Sequence, residues 1–329
     1  MSAKYKKVLI IILCVFMLSA CGKAEESVEG KLIKVGFSQL GYESDWRAAN
    51  TLSMTEALSE EHGYELLYEN AKQRQDNQLL AIRNFVLQNV DIIILAPVSE
   101  TGWDNALAEA RNAGIPVIIV DREVDVENEN LYLCAIGSDF FSEGITAVNW
   151  LEEELVKTGR DKEEIRIFNL KGTKGATAEI GRTKAIEKAA AEHNNWNINA
   201  EYFGEFTEAK AYEIVRDFLN SGGEMDVLYS QNDNMTFGAM KAFDEAGISY
   251  GEGGDVIIIS FDAVQRALSM CMEGKINLCV ECSPLHGPRV EELIRAYLDG
   301  EEIDKKIYVE ESFFTPENLS EEIISERQY

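Results

Sequence analysis

Residues 91–122 read DIIILAPVSETGWDNALAEARNAGIPVIIVDR, and this stretch decides the fold. It contains two short, almost unbroken apolar runs, at 92–96 and 117–120, separated by a segment with the apolar spacing of a helix. Such Ile-rich runs are typical of strands that are covered by helices on both faces. A strand, a helix and a second strand in this order form a βαβ unit, so the stretch predicts a parallel sheet.

The same alternation continues along the chain from residue 31. Apolar runs predict strands at 32–37, 64–68, 92–96, 117–120, 132–136, 165–170, 198–203, 227–230, 256–260 and 276–280. Helical periodicity predicts helices at 79–88, 103–112, 142–157, 176–192, 209–219 and 235–246. The segments 91–97 and 116–122 are echoed weakly by 226–232 and 256–262, which predicts two similar, doubly wound α/β lobes with parallel sheets. Chance similarity between buried strands is the alternative.

Composition fits a folded, two-domain chain that does not bind nucleic acid. The 329 residues are long enough for two cores, and 46% of them are hydrophobic. The 31 Lys and Arg residues against 58 Asp and Glu residues give a net charge of -27. A chain this acidic repels a phosphate backbone, so we expect no nucleic-acid partner.

The N-terminus has the pattern of an export signal. Lys4, Lys6 and Lys7 precede an apolar run at 8–18, which is too short to cross a bilayer as a helix, so residues 1–20 are predicted to be a signal peptide. The following LSACG resembles a bacterial lipobox, which implies a lipid on Cys21, with residues 21–30 as a tether. We therefore expect a protein anchored to the outer face of the bacterial cell membrane. An ordinary cleaved signal is the alternative.

Neither a metal site nor a cofactor is expected. The three His residues are far apart in the sequence, and no CxxC pair is present. Four further cysteines follow Cys21, and two of them, Cys134 and Cys279, lie in apolar runs typical of buried strands. We expect buried thiols, with a structural disulfide as the alternative.

Polar residues collect where the predicted strands end. Ligands of open parallel sheets bind outside the carboxyl ends of the strands. The polar residues at these ends include Ser38, Asp121, Arg122, Thr173, Asn232 and Asp262. Some of them are candidates for helix N-caps, and for Asp233 the cap is the favoured interpretation.

The residues at the strand ends favour a sugar site over an active site. Carboxylates, amides and guanidinium groups pair with vicinal hydroxyls, and an aromatic ring such as Trp46, in the polar loop GYESDWR, covers the C–H face of a sugar. No GxSxG elbow is present, and GTKGA at 172–176 lacks the GKS/T ending of a phosphate loop. Glycoside hydrolysis by Asp121 and Asp262 remains a minor alternative. We therefore expect a binding protein, not an enzyme.

Several of these segments also resemble a known family. The segments 34–50, 93–103 and 230–247 resemble the type I periplasmic sugar-binding proteins of ABC transporters, and GxESxWR and APVxxTGW are similar to the galactofuranose branch. The resemblance implies a monomer that closes by a hinge around a monosaccharide, galactofuranose or a related galactose or pentose. It also implies delivery of this ligand to an ABC transporter permease.

The resemblance implies a set of binding residues. Trp46 would stack on the sugar, and Phe206 would form a second aromatic wall. The polar members of the implied set are Arg47, Asp121 and Arg122, with Ser38 and Glu43 beside them, and, from the second lobe, Thr173, Arg182, Asn232 and Asp262. Cys282 occupies a position that is often polar in the family.

The family architecture implies three hinge crossings, near 137–139, 282–284 and 308–314. Lobe one would then comprise residues 31–138 plus 283–309, and lobe two residues 139–282 plus 310–329. Repressors of the lac type share this core, but a signal and tether occupy the place of their DNA-binding helices. A sugar sensor that presents its ligand to a membrane receptor kinase remains an alternative.

Overall fold

The computed structural model describes residues 31–329. The predicted signal peptide, the lipid site at Cys21 and the tether lie outside the described residues. Within residues 31–329, no helix combines the length and the apolar character needed to cross a membrane.

Strands and helices alternate along the described chain. The strands are β1 (Ile33–Gln39), β2 (Tyr64–Asn70), β3 (Ile92–Leu95), β4 (Val117–Val120), β5 (Cys134–Gly137), β6 (Ile165–Lys171), β7 (Trp196–Phe203), β8 (Val227–Ser230), β9 (Ile257–Asp262), β10 (Leu278–Glu281), β11 (Lys306–Tyr308) and β12 (Phe313–Phe314). The helices are α1 (Asp45–Ala57), α2 (Gln75–Leu87), α3 (Asp104–Asn112), α4 (Phe140–Lys157), α5 (Thr177–Glu192), α6 (Glu208–Asn220), α7 (Asp233–Ala246), α8 (Gln265–Met272), α9 (Gly287–Leu298) and α10 (Glu321–Glu326).

The strands form two six-stranded sheets with the same internal order. The first sheet runs β11-β5-β4-β3-β1-β2, and the second runs β12-β10-β9-β8-β6-β7. Neighbouring strands are parallel except β10 and β12, which pair antiparallel. The predicted repeat is therefore confirmed in three dimensions, because β3 and β4 occupy the places in the first sheet that β8 and β9 occupy in the second.

The central strands are buried on both faces, as their continuous hydrophobicity predicts. Every residue of β3, β4, β8 and β9 is buried. Helices cover both faces of each sheet, since separate apolar clusters lie on either side of it. The predicted fold class, two doubly wound α/β lobes, is confirmed.

The chain passes three times between the two sheets. It leaves the first sheet after β5, returns to it after β10, and crosses again between β11 and β12. The residue limits given above for the two lobes, and a hinge motion at these crossings, stay predictions.

The prediction missed four helices, among them α1, which replaces the polar loop expected around Trp46. Ser44 caps this helix by accepting a hydrogen bond from the backbone N–H of Arg47. The buried face of α1 carries the polar residues Arg47, Asn50 and Ser53. Because polar side chains point inward, the apolar period that signals a helix is absent from the sequence. The other three, α8, α9 and α10, lie in segments for which no helix was predicted.

The four described cysteines are free and buried: Cys134, Cys271, Cys279 and Cys282. Cys134 lies in β5 and Cys279 in β10, as their apolar surroundings predict.

Close packing of α6 on α7 depends on Gly238. A Cβ atom at this position would overlap the backbone oxygen of Glu208, which cannot move without displacing α6. We expect Gly238→Ala to lower the free energy of unfolding by about 1–3 kcal/mol, measured by urea denaturation. Ala246→Ser, at the exposed end of the same helix, should change it by about 0.5 kcal/mol or less. Equal changes in the free energy of unfolding for the two substitutions would contradict the close packing of α6 on α7 at Gly238.

Candidate functional site

A small polar pocket lies where the carboxyl ends of the two sheets face each other. It contains about 290 Å³ of space that no atom occupies, part of it open to solvent. We call it the cleft pocket. The residues that line it are Glu43, Ser44, Trp46, Arg47, Asp121, Arg122, Phe140, Ala178, Arg182, Phe206, Asn232, Asp262 and Cys282. The structure thus brings nine of the eleven predicted ligand-binding residues together.

Ser38 and Thr173 do not line this pocket. The Ser38 side chain is fully buried and accepts a hydrogen bond from Gln78, so it supports the loops behind the site. Thr173 lies in the turn before α5, where its backbone oxygen accepts from the N–H of Ala176. Direct contact of either side chain with a ligand is therefore not supported by this structure.

A network of buried charges forms the first-sheet side of the pocket. The Asp121 side chain accepts from Arg47 Nη2 at 2.6 Å, and Glu43 Oε1 accepts from Arg47 Nε at 3.0 Å. Arg122 lies 3.8 Å from Asp121 and donates to the Val98 carbonyl at 3.0 Å. These contacts fix the positions of the two arginines.

The backbone at Asp121 aims its carboxylate into the network. Asp121 has a φ of 65°, a left-handed conformation that L-residues rarely adopt. Asp262, at the end of the equivalent strand β9, has a φ of 104°. Strained conformations at both equivalent positions are typical of functional sites.

Burial and neighbouring charges act in opposite directions on the pKa values of this network. Burial opposes the charge of Asp121, yet Arg47 and Arg122 hold the pKa of this carboxyl below its usual value. Burial, together with the positive charge of Arg47, lowers the pKa of Arg122 to about 10. Arg122 is therefore still a cation at neutral pH, and Asp121 is an anion.

Arg182 organises the second-sheet side of the pocket. Its Nε donates to Glu143 at 2.7 Å, and its Nη1 donates to the Gln231 carbonyl. The aromatic rings of Phe140 and Phe261 lie 5.3 and 4.7 Å from its guanidinium carbon. Asp262 lies 3.8 Å from Arg182, and burial raises the pKa of Asp262 well above its usual value, because the pull of Arg182 is weaker than the cost of burying the charge.

The charges around the pocket nearly cancel. Three arginines line it, and they face the carboxylates of Glu43 and Asp121 and the nearby Glu143. Burial raises the pKa of Asp262 well above its usual value, which disfavours a further negative charge there. A site with this balance suits a neutral polar ligand better than a phosphate or a carboxylate.

Buried polar atoms without partners point to what the pocket binds. Among the described residues, Glu43 Oε2, Arg47 Nη1 and Arg182 Nη2 are buried and make no hydrogen bond. All three belong to residues that line the cleft pocket. An unsatisfied buried polar group costs about 1–3 kcal/mol, more when charged, so these atoms are suited to a ligand that both donates and accepts.

Two aromatic rings, those of Trp46 and Phe206, line the pocket. Trp46 is held by a hydrogen bond from its Nε1 to the Cys282 carbonyl at 2.6 Å and by the edge of the His286 ring, 5.9 Å away. Phe206, also in a left-handed conformation with a φ of 60°, packs over Gly172, where any side chain would overlap its ring. Both rings therefore have fixed orientations.

Asn232 is chiefly a helix cap. Its side-chain oxygen accepts from the N–H of Met235 at the start of α7, and its amide nitrogen donates to the Phe206 carbonyl at 3.3 Å. The cap predicted for Asp233 is wrong, because Asp233 accepts instead from Ser260 and from the backbone of Val264. The carboxylate of Asp233 joins α7 to the end of β9.

The sequence interpretation missed several contributors. Ser44, Phe140 and Ala178 line the pocket, and Glu143 anchors Arg182 from behind. Ser44 is adjacent to a recognised motif and could have been found there. Phe140, Ala178 and Glu143 lie in helical segments with no local signal for a site.

Contacts between the rims cover the pocket. The backbone N–H of Asp45 donates to Asn234 Oδ1 at 3.0 Å, and that of Glu123 donates to Thr177 Oγ1 at 2.9 Å. Each contact joins a loop or helix of the first sheet to one of the second. The pocket is thus shielded from solvent, which strengthens polar interactions inside it.

No metal ion is needed to explain the charges near the pocket. Among the described residues, Glu143, Cys282 and Glu311 form the one cluster of side chains rich enough in potential donors to suggest a cation. The guanidinium of Arg182 already supplies the positive charge there. We return to this cluster below.

Two doubly wound lobes around a polar, charge-balanced pocket define a protein that encloses a small ligand. The sequence model of the periplasmic binding protein domain family matches residues 35–302 of this chain, and the chain belongs to this family. The relatives described next are binding proteins, and the chain is accordingly a binding protein and not an enzyme.

Three relatives illustrate the similarity. The chain is 35% identical to the galactofuranose-binding protein YtfQ of Escherichia coli (strain K12), over 88% of this chain and 90% of the relative. It is 38% identical, with a TM-score of 0.82, to the periplasmic binding component of the arabinose ABC transporter from Shewanella sp. ANA-3, solved with α- and β-L-arabinofuranose, over 90% and 95% of the two chains. It is 36% identical, with a TM-score of 0.82, to a Mycobacterium smegmatis protein solved with β-D-fucofuranose, over 87% and 92%.

Acid should destabilise the fold through His286, which is buried behind Trp46. Burial lowers the pKa of His286 from 6.5 to about 4. Between pH 6.5 and pH 4, the His286 ring is therefore neutral in the folded protein but protonated in the unfolded chain. The stability that the neutral ring contributes is present above pH 6.5 and is lost as the pH falls toward 4. Between pH 6.5 and pH 4, the wild type should lose about 3 kcal/mol more of its free energy of unfolding than His286→Gln loses.

The matched control is His62→Gln, which removes an exposed histidine. Urea unfolding at pH 6.5 and at pH 4 measures both variants. A loss in His286→Gln as large as that of the wild type would show that His286 does not carry this dependence.

Proposed function

We propose that this protein binds a monosaccharide in its furanose form, galactofuranose or a related galactose or pentose sugar, in the cleft pocket. The observation that carries the proposal is the set of unpartnered buried atoms, Glu43 Oε2, Arg47 Nη1 and Arg182 Nη2, between two aromatic walls. Sugar hydroxyls donate and accept hydrogen bonds at once, so one molecule can satisfy the carboxylate and both guanidinium groups. The near-neutral charge of the site matches an uncharged sugar.

The furanose form is supported by the relatives. The three proteins compared above bind, by their names or titles, galactofuranose, arabinofuranose and fucofuranose. These sugars share a five-membered ring and differ in their substituents. We infer that the cleft pocket discriminates more strongly between furanose and pyranose rings than between the exocyclic groups of different furanoses.

Each residue has a role in the proposal that follows from its position. Trp46 and Phe206 stack on the sugar faces, and Arg47, Arg122 and Arg182 donate to its hydroxyls. Asp121 accepts one hydroxyl while it fixes Arg47. Glu43 and Asp262, which also line the pocket, accept others.

Closure around the sugar would use the three crossings between the sheets. The rim contacts of Asp45 and Glu123 form only when the two sheets approach each other. A sugar that contacts both sides of the pocket favours this closed form through its differential contacts.

The ligand would be delivered to an ABC transporter permease by a monomer tethered through a lipid on Cys21. The Shewanella relative is described as a component of an ABC transporter, which supports the permease as the recipient. Co-purification of the membrane-bound protein with a permease supports transport, whereas co-purification with a receptor kinase would replace it with a sensory role.

Calorimetric titration of the purified protein tests the proposed ligand. The panel contains galactose held as the methyl furanoside and as the methyl pyranoside, together with arabinose, ribose and myo-inositol. We expect micromolar or tighter binding to one or more furanose sugars and at least about 10-fold weaker binding to the pyranoside, since a stranded buried partner costs about 1–3 kcal/mol. No heat with any member of the panel would contradict the proposal.

Arg122 should carry a large share of the affinity. We expect Arg122→Ala to weaken sugar binding by about 2–4 kcal/mol, because buried acceptors lose a charged hydrogen bond. The control is Arg83→Ala, which removes an exposed arginine that pairs with Glu109 on the outer helices. An unchanged dissociation constant in folded Arg122→Ala would remove Arg122 from the site.

Membrane attachment should depend on Cys21 alone. We expect Cys21→Ser to move the protein from the membrane fraction to the soluble fraction while sugar affinity stays the same. Cell fractionation and labelling with radioactive palmitate measure both effects. Label on the Cys21→Ser variant would show that the lipid is attached elsewhere.

A further inference from the structure

The three crossings between the sheets meet at one carboxyl group, that of Glu311. Its Oε1 accepts from Ser138 Oγ, after β5, at 2.6 Å and from the backbone N–H of Ser283, after β10, at 2.7 Å. Glu311 itself lies on the third crossing, between β11 and β12. One side chain therefore ties together the three segments that connect the lobes.

A second carboxyl group faces Glu311 in this cluster. Glu143, on α4, is 5% exposed, and its carboxylate lies within 4.8 Å of a carboxylate oxygen of Glu311 and of the sulfur of Cys282. Glu143 Oε2 accepts from Arg182, whereas its Oε1 has no donor among the described residues. Two ionised carboxylates offer only acceptors, so a hydrogen bond between them requires a proton on one of the two.

The surrounding charges indicate which carboxyl carries that hydrogen. The titratable and charged groups that face the pair are Arg182 from α5, Tyr229 from β8, Cys282 from the second crossing and, beyond Arg182, Asp262 from β9. Burial raises the pKa of Glu143, and the Arg182 guanidinium, which donates directly to Glu143, opposes this effect. Glu311 has no such ion pair within the described chain, and burial together with the charge of Glu143 raises its pKa to about 9, so the hydrogen is assigned to Glu311.

We propose that Glu311 is a positioning residue for ligand binding: in its protonated form it donates to Glu143 Oε1, and this bond joins the three crossings to the arginine that reaches the ligand. The chain of contacts runs from Ser138 and Ser283 through Glu311 and Glu143 to Arg182, whose Nη2 remains free for the pocket. Cys282 connects the same cluster to Trp46, since its carbonyl accepts from the indole. Glu311 acts through Glu143 and does not touch the ligand.

The inference rests on the proposed sugar binding and adds to it a dependence on pH. When Glu311 loses its proton, two carboxylates repel each other and the bond to Glu143 is lost, so Glu143 and Arg182 are no longer joined to the three crossings. The affinity for sugar is then highest where Glu311 is protonated and falls as the pH rises through 9. An uncharged ligand brings no titration of its own to this range.

Glu311→Gln keeps the shape of the side chain but removes its ability to gain or lose a proton. The amide oxygen can still accept from Ser138 and Ser283, and the amide nitrogen donates permanently to Glu143. Calorimetric titration with the furanose sugar that binds the wild type is performed at pH 6.5 and at pH 10. We expect wild-type affinity to fall by about 10-fold or more between these values, because a group with a pKa of about 9 keeps its proton in only about one molecule in ten at pH 10. The affinity of Glu311→Gln should fall by less than about 3-fold.

Glu310→Gln is the matched control, because it removes an adjacent, exposed carboxyl and should retain the wild-type dependence. A wild-type affinity that does not change with pH, or the same dependence in Glu311→Gln, overturns the inference while sugar binding stands. Loss of wild-type affinity in EDTA at pH 6.5 would place a cation where we place the proton, and would also overturn it. Absence of sugar binding at both pH values would instead overturn the proposed function.

A measurement without sugar keeps the inference testable if Glu311→Gln binds weakly. The raised pKa of Glu311 means that the folded protein retains a proton which the unfolded chain has lost above about pH 4.5. The stability that this proton contributes is therefore lost as the pH rises toward 9. We expect the melting temperature of the wild type to fall more than that of Glu311→Gln between pH 6.5 and 9, and equal shifts would count against Glu311.

Discussion

The structure depends on burying three arginines between two parallel sheets without leaving their charges unbalanced. Arg47 pairs with Asp121 and Glu43, and Arg182 pairs with Glu143. Breaking one partner of a buried pair costs about 3–5 kcal/mol, so the fold supplies acceptors for each charge from its own strand ends and helices. Among the described residues, the buried side-chain atoms left without a hydrogen bond are Glu43 Oε2, Arg47 Nη1 and Arg182 Nη2, which belong to the pocket lining, and Glu143 Oε1 and His286 Nε2, which do not. In the proposed site the first three receive the ligand, so the folding requirement and the ligand requirement would be met by the same side chains.

The fold could be predicted from the sequence because its signal is local. Apolar runs such as that at 117–120 identify buried strands, and the repeated pattern identifies two lobes of the same order. Helix α1 escaped this reasoning because its buried face is polar, and that face is polar because it supplies Arg47 to the site. The pocket residues at strand ends were predictable for the same local reason. Glu143 and Glu311 were not, because their roles arise only when segments that are distant in the sequence meet.

Binding and movement are connected in this molecule through neighbouring side chains. The chain crosses between the sheets three times, and the carboxyl group of Glu311 accepts hydrogen bonds from two of the crossings while lying on the third. Arg182 lies two contacts further, through Glu143, and the rings of Phe140 and Phe261 lie close to its guanidinium. A ligand that engages Arg182 would therefore act on the same cluster that joins the lobes. The proposed bond between Glu311 and Glu143 would complete a path from occupancy of the pocket to closure, whose other links are hydrogen bonds shorter than 3 Å.

The central claim is that the unpartnered atoms of the pocket receive the hydroxyls of a furanose sugar. Its most direct test is a crystal structure of the protein grown with D-galactose, because the equilibrated sugar offers furanose and pyranose rings together. We predict a five-membered ring between Trp46 and Phe206, with hydroxyls within hydrogen-bonding distance of Glu43 Oε2, Arg47 Nη1 and Arg182 Nη2. A pyranose ring in the pocket would contradict the selected ring form. A sugar bound elsewhere, or a pocket that holds only water, would contradict the site itself.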